Sequence, residues 1–330
     1  MDCGLRIRMK RVQDDRGSAL ITTLLIAALV TIIATGIISG QVVDIRRTAN
    51  IMEAGQAEML ADSVEAWAVN LLVRDARHDS KGSDPVDSLD EEWGKPLLPT
   101  EVKIGTVAGE IQDMQARFNL NNLIHEAPDT PHGKQCRQQF RRLAEGCKLE
   151  GEIVNTVTDW LDNDQEAHFP GGAEDAVYLE MQPPYRTADA PMASPSELRL
   201  LKGVDASAYQ CLVPLISALP EPTLVNVNTA PAVILASLSD KLALAVAENI
   251  VEARPLGGYA SVDEFLALPE LAGSGLKGEF LTVQSRYFMV TARVEFGRAR
   301  LNRFSMLNRE RENEDGEPEI RVLGRTIGVY

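Results

Sequence analysis

The chain is 330 residues long, carries a formal net charge of −15 and is 45% hydrophobic. That length holds one large or two to three small domains, and the apolar share is ordinary for a protein with a real core. Its acidity repels phosphate backbones and argues against nucleic acid as a partner.

Positions 1–17 carry Arg6, Arg8, Lys10, Arg11 and Arg16 against Asp2, Asp14 and Asp15, and end at Arg16-Gly17, with Ser18 next. No Asp, Glu, Lys or Arg follows until past residue 43. As a helix, 18–43 is about 39 Å long, enough to cross a bilayer. The cationic flank keeps the N-terminus in the cytoplasm and puts the bulk of the chain outside. A secretory signal would have a shorter apolar region with its small residue after it, not before. A plain signal anchor is the alternative.

Beyond the apolar run the pattern turns amphipathic without a helix breaker. Leu60, Val64, Trp67, Ala68, Leu71 and Leu72 recur at spacings of three and four, with Glu58, Asp62, Glu65 and Asn70 between them. One helix is predicted from about 18 to about 77. A basic leader, a glycine junction, an apolar half-helix and an amphipathic half-helix resemble the N-terminus of type IV pilins and type II secretion pseudopilins. The resemblance implies cutting by prepilin peptidase between Gly17 and Ser18, with N-methylation of Ser18. Removing the leader leaves a charge of about −17. Most members of that group have Glu at the fifth position after the cut, facing the amine of the subunit ahead. Here that position is Thr22, as is typical of the K-type minor pseudopilin at the fibre tip.

A loop rich in Asp, Ser, Gly and Pro spans 78–89, and 102–123 reads as one or two strands through Ile104, Val107, Ile111, Met114, Phe118 and Leu120. Residues 135–281 read as almost wholly helical. Phe288, Val290, Ala292, Val294 and Phe296 then alternate with Met289, Thr291, Arg293 and Glu295, the pattern of a half-buried antiparallel strand. Further strands are predicted over 301–307 and 320–323. A helical block interrupting a sheet implies that residues from both sides of an insertion complete that sheet.

The segments Arg117-Phe118-Asn119-Leu120-Asn121-Asn122-Leu123, Asp159-Trp160-Leu161-Asp162, Gly172-Ala173-Glu174-Asp175 and Val225-Asn226-Val227-Asn228-Thr229-Ala230, with Trp93 and Pro96, resemble the type II secretion K pseudopilin family. The resemblance covers essentially the whole chain. It implies an α+β fold: a pilin-like long N-terminal helix packed on an antiparallel sheet, with a large inserted all-α domain of two SAM-like, helix-hairpin-helix-like units. The implied divisions are leader 1–17, transmembrane half-helix 18–43, periplasmic half-helix 44–77, first part of the pilin-like domain 78–124, helical units 125–219 and 220–281, and closing strands 282–330. It implies a non-enzymatic subunit of the inner membrane and periplasm of a Gram-negative bacterium, with the minor pseudopilins I, J and H as partners. Contact with secretin and exported cargo belongs to the same expectation.

Asp159, Asp162, Asp164, Glu166, Glu174 and Asp175 crowd one stretch around Pro170-Gly171-Gly172. Hard oxygen ligands at this density suit calcium, although the spacing is not that of an EF-hand. By composition alone a solvated acidic loop is the better explanation. The family resemblance implies calcium, carried to Asp159, Asp162, Asp164, Glu174 and Asp175, with Asp159 alternatively capping or orienting a helix. His168 lies beside the cluster, and the other histidines lack zinc spacing. Outside the leader, which holds Cys3, the cysteines are Cys136, Cys147 and Cys211. A helix over 135–145 would hold Cys136 roughly 16 Å from Cys147, so the candidate bridges join Cys211 to Cys136 or to Cys147; three buried thiols are the other reading.

Two motifs are decoys. Gly273-Ser274-Gly275-Leu276-Lys277-Gly278 matches a dinucleotide fingerprint only in letters, since it does not follow a strand or open a helix. Residues 225–268 also resemble the helix-hairpin-helix of membrane-anchored DNA-uptake receptors, the main rival beside a type IV pilus minor pilin. The connecting segment Leu238-Ser239-Asp240-Lys241-Leu242-Ala243 has no glycine and adds a carboxylate, so the phosphate cradle is missing.

Overall fold

A computed structural model describes residues 16–79, 85–125, 127–310 and 318–328. The leader, apart from its last two positions, lies outside the described residues, as does Cys3. The chain divides into two units, one ending at Gly55 and one beginning at Gln56.

Helix α1 (Arg16–Asp79) runs through both. In the first unit its side chains, Leu20, Ile21, Leu24 and Leu25 among them, are exposed, and this stretch is long and apolar enough to cross a membrane. Its threonines suit that medium. Thr22, Thr31 and Thr35 each donate their hydroxyl to the carbonyl four residues back, at 2.7–2.8 Å, so none presents an unmatched hydroxyl to lipid.

In the second unit α1 is followed by β1 (Leu97–Val102) and β2 (Gly105–Asp113). The chain then leaves the sheet through β3 (Phe118–Asn119), α2 (Asn122–His125), α3 (Pro131–Gly146), α4 (Ile153–Leu161), α5 (Asp175–Tyr178) and α6 (Ala206–Leu212). It continues through β4 (Ile216–Ser217), β5 (Val225–Asn226), α7 (Ala232–Ser237), α8 (Leu244–Glu252), α9 (Val262–Leu266) and β6 (Leu281–Thr282). It returns as β7 (Tyr287–Phe296), β8 (Ala299–Glu310) and β9 (Glu319–Ile327). The five-stranded sheet has the order β1-β2-β7-β8-β9, and every neighbouring pair is antiparallel. Strand β2 pairs with β7 from Gly105 opposite Phe296 to Asp113 opposite Phe288, closing the sheet across the insertion.

From Gln56 on, α1 buries Ala57, Ala61, Val64, Ala68, Leu71 and Leu72 against Ile111, Phe288, Val290, Ala292, Val294 and Leu307. Three alanines on the contact stripe let the helix sit close to the sheet. Gly109 is required there, because a Cβ at that position would lie 2.6 Å from Val64 Cγ1. Glu65 departs from the amphipathic reading. It is buried on the sheet side, where it accepts from Ser305 Oγ at 2.6 Å and pairs with Arg325 at 2.7 Å. Burial alone would raise its pKa, but the hydrogen bonds and charges of Arg325 and Ser305, with Arg303, hold it below the usual value.

Strand β7 is not half-buried along its length. Residues 287–292 are covered on both faces, because Met114 and Leu219 pack with Tyr287 and Met289 on the face opposite α1. The block predicted as almost wholly helical contains short helices separated by extended loops and two small parallel ladders, β3 with β4 and β5 with β6. Pro170, Pro183, Pro184, Pro191, Pro195, Pro214, Pro220 and Pro222 explain the short lengths, since each removes an amide and disfavours helix before it. The sequence boundary at 124 also shifts. Phe118, Leu120 and Leu123 pack in the core of the insertion with Phe140, Val157 and Trp160, so the sheet part ends at Asp113.

Candidate functional site

Helix α4 delivers Asp159 to its last turn, with no surface exposed. The carboxylate accepts from the backbone N–H of Ala173 at 2.7 Å and of His168 at 3.2 Å, and lies 2.6 Å from His168 Nδ1. Gly172 is needed for this fold-back: a Cβ there would lie 2.2 Å from Asp159 Oδ2. Asp159 therefore acts as the post around which the acidic loop bends.

The loop brings Asp162, Asp164 and Glu174 together, one oxygen of each within 4.8 Å of the others. Asp159, Asp162 and His168 form an overlapping set of the same tightness. Glu174 is only 4% exposed, yet neither of its oxygens has a hydrogen-bond partner, nor has Asp162 Oδ1. Loss of solvent, then the charges of Asp159, Asp162, Asp189 and Asp164, push Glu174 up to about 8. Loss of solvent, then Asp164 and Asp159, push Asp162 up to about 6. Crowded, partly dehydrated carboxylates with several oxygens lacking donors are the chemistry of a hard-cation site, and the residues present fit calcium. Asp175 does not join them. Its carboxylate accepts from the backbone N–H and hydroxyl of Thr187, both at 3.1 Å, and pairs with Arg186 at 3.1 Å.

Asp175 thus anchors the 186–189 loop, whose Asp189 faces the site and accepts from Gln165 Nε2 at 3.2 Å. Asp189 escaped sequence reading because it stands outside the acidic run, and nothing in spacing marks a residue brought in by a second loop.

The asparagine motifs prove to be seams. Asn119 accepts from Leu219 N–H at 3.0 Å and donates to Glu221 O at 2.8 Å; Asn121 bonds both backbone groups of Met192; Asn122 bonds both of Thr223. Asn228 pairs in the same two-way fashion with Tyr259. A buried amide side chain that mimics a peptide group satisfies backbone where no ladder exists, which is why a loop-rich insertion tolerates burial. Cys147 and Cys211 form a disulfide with Cα atoms 5.6 Å apart, tying the end of α3 to α6, while Cys136 is buried outside it. At the other end of the chain, Thr22 donates its hydroxyl to Ser18 O at 2.7 Å.

A pilin-like sheet and helix, interrupted by an insertion with its own core and acidic loop, defines a structural subunit of the pseudopilin class. Models of the type II secretion system protein K family match residues 116–221 and 225–284. The chain is 39% identical to type II secretion system protein K of Pseudomonas aeruginosa, covering 97% of this chain and 94% of that protein. It is 33% identical to its counterpart of Klebsiella pneumoniae, covering 96% and 97%. A crystal structure of the GspK-GspI-GspJ complex of the enterotoxigenic Escherichia coli type 2 secretion system contains a chain matched with TM-score 0.74 and 28% identity, over 86% of this chain and 100% of that one. The chain belongs to the type II secretion system protein K family, and it is a minor pseudopilin, a structural component of that system.

Proposed function

We propose that this chain works at the tip of the periplasmic pseudopilus, in a complex with the I and J minor pseudopilins and next to H, where it starts or caps the fibre that drives protein export. The observation that carries the reading is its match, over 86% of this chain, to a chain of the solved GspK-GspI-GspJ complex. Helix α1 anchors it in the inner membrane with the N-terminus cytoplasmic and the remaining domain periplasmic, and contact with secretin or cargo falls to the exposed insertion. Prepilin peptidase cuts between Gly17 and Ser18, and Ser18 is N-methylated. Thr22 supports the tip position: its short side chain turns back on the helix at Ser18 and offers no carboxylate to the amine of a subunit ahead.

Calcium is held by Asp162, Asp164 and Glu174, with Asp159 bending the loop and Asp175 fixing the neighbouring one. Bound there, calcium supplies positive charge to carboxylates that otherwise repel each other. Co-expression of the full chain with its own I and J subunits and prepilin peptidase tests the reading. A detergent-stable ternary complex whose K chain begins at Ser18 is the expected result. An intact Met1, with no copurification, would return the chain to the plain-anchor alternative.

A further inference from the structure

Away from the acidic loop, a second set of carboxylates converges where α1 ends. Asp75 lies in its final turns, Asp87 and Glu91 lie on the way to β1, and one oxygen of each is within 4.8 Å of the others. Asp87 has no exposed surface. Its Oδ2 accepts from the backbone N–H of Ser285 at 2.6 Å and from Arg309, which also reaches Asp75 Oδ2 at 2.9 Å. Its Oδ1 is buried with no hydrogen-bond partner. The hydroxyl oxygen of the adjoining residue Ser88, itself 2% exposed, is likewise unmatched. Desolvating a carboxylate oxygen without a donor is costly, so a fold that retains one calls for an electrophile beside it.

The charge balance points the same way. Among the described residues, three carboxylates face one guanidinium, a formal excess of two negative charges. The other charged side chains nearby have partners of their own: Arg74 pairs with Glu92 at 3.1 Å, and Asp90 accepts from Gly257 N–H at 3.0 Å. Glu91 is aimed inward by the Trp93 indole, which donates to its Oε2. One divalent ion would match the excess. Three carboxylates with water completing the shell suit the permissive geometry of calcium better than the strict octahedron of magnesium. We propose that Asp75, Asp87 and Glu91 form a second divalent-cation site, suited to calcium, that fastens the end of α1 to the chain entering β1 and to Arg309 of β8. The site is separate from the acidic loop and does not rest on it.

Terbium, which replaces calcium and emits when a nearby indole is excited, is the probe. The full chain in detergent micelles carries Glu174→Gln, so that the loop site is impaired and Trp93 is the antenna at the second site. Indole-sensitised emission that calcium displaces is expected, falling at least tenfold when Glu91→Gln is added. Asp75→Asn gives the same comparison from the helix side without touching the Trp93 partner, and far-ultraviolet circular dichroism checks that each variant is folded. Absence of emission in the Glu174→Gln chain, or emission that survives both Glu91→Gln and Asp75→Asn, would overturn the proposal and leave a proton shared between Asp75 and Glu91 as what relieves the repulsion. A loop-site failure reads out separately, as equal terbium uptake by the unsubstituted chain and the Glu174→Gln chain.

Discussion

Asn226 donates its side-chain amide to Asp113 Oδ2 at 3.1 Å, and this buried contact joins the second half of the insertion to the last residue of β2. The same oxygen accepts from Thr229 Oγ1 at 2.5 Å and Ser285 Oγ at 2.6 Å, while Oδ1 accepts from Gln115 N–H at 2.8 Å. One carboxylate thus holds the point where the chain leaves the sheet to the point where it returns.

Asp113 makes stability depend on pH. Burial, opposed by the hydroxyls of Ser285 and Thr229, pushes its pKa from 3.8 up to about 6. Between those values the folded chain keeps a proton that the unfolded chain has released, so stability falls as pH rises through the window and is flat above it. The full excursion is worth about 3 kcal/mol. Asp113→Asn should flatten that part of the profile, measured as the difference in denaturant midpoint between variant and parent at pH 4.5 and pH 7. Identical profiles would show that Asp113 titrates normally.

The acidic loop should respond to calcium through Glu174 more than through Asp175. Saturating calcium at about a hundred times its dissociation constant stabilises by roughly 2.7 kcal/mol if it binds only the folded state. In Glu174→Gln the loop's share of that gain disappears, because the variant removes the charge whose two oxygens have no other partner. Asp175→Asn retains the gain while weakening the Thr187 and Arg186 contacts. Calcium-dependent melting of the full chain in detergent distinguishes them, and equal losses in the two variants would put Asp175 back among the ligands.

Reducing the Cys147–Cys211 bridge opens a closure spanning 64 positions. Loop entropy alone assigns such a closure about 4 kcal/mol. Replacing both cysteines by serine should therefore lower the unfolding midpoint substantially, whereas Cys136→Ser leaves the bridge intact and should lower it less. Thiol labelling of the native chain should leave buried Cys136 unmodified until denaturant is added. Rapid native labelling would contradict its burial.

Much of the fold was legible in periodicity. The uncharged run and the three-four spacing after it marked α1, and strict alternation marked β7. Gly297, at positive φ, makes the turn into β8, one of the predicted further strands. What escaped was set by contacts between distant segments. Glu65 reads as a solvent-facing residue, yet Ser305 and Arg325 draw it onto the sheet. Met289 and Thr291 read as the outward face of β7, yet they are buried, and Leu219 from the insertion packs over Met289.

The candidate metal loop divides along the same line. Its carboxylates were visible as a dense acidic run, but composition could not say which of them converge. Asp159 and Asp175 have the same chemistry as Asp162 and Glu174. They are spent on backbone amides of residues 168, 173 and 187, an allocation that depends on where the loop turns. The Asp75, Asp87 and Glu91 set had no signal at all, because its members are separated in sequence and meet only once α1 has docked on the sheet.

By itself, then, the amino-acid sequence determined the membrane-type helix, the strand alternation and the family, since each depends on residues close together along the chain. Only the tertiary structure decided which carboxylates remain without donors, which cysteine meets Cys211, and which face of β7 is dry. Those outcomes depend on desolvation and on partners from remote segments, and neither exists until the insertion has folded back against the sheet that it interrupts.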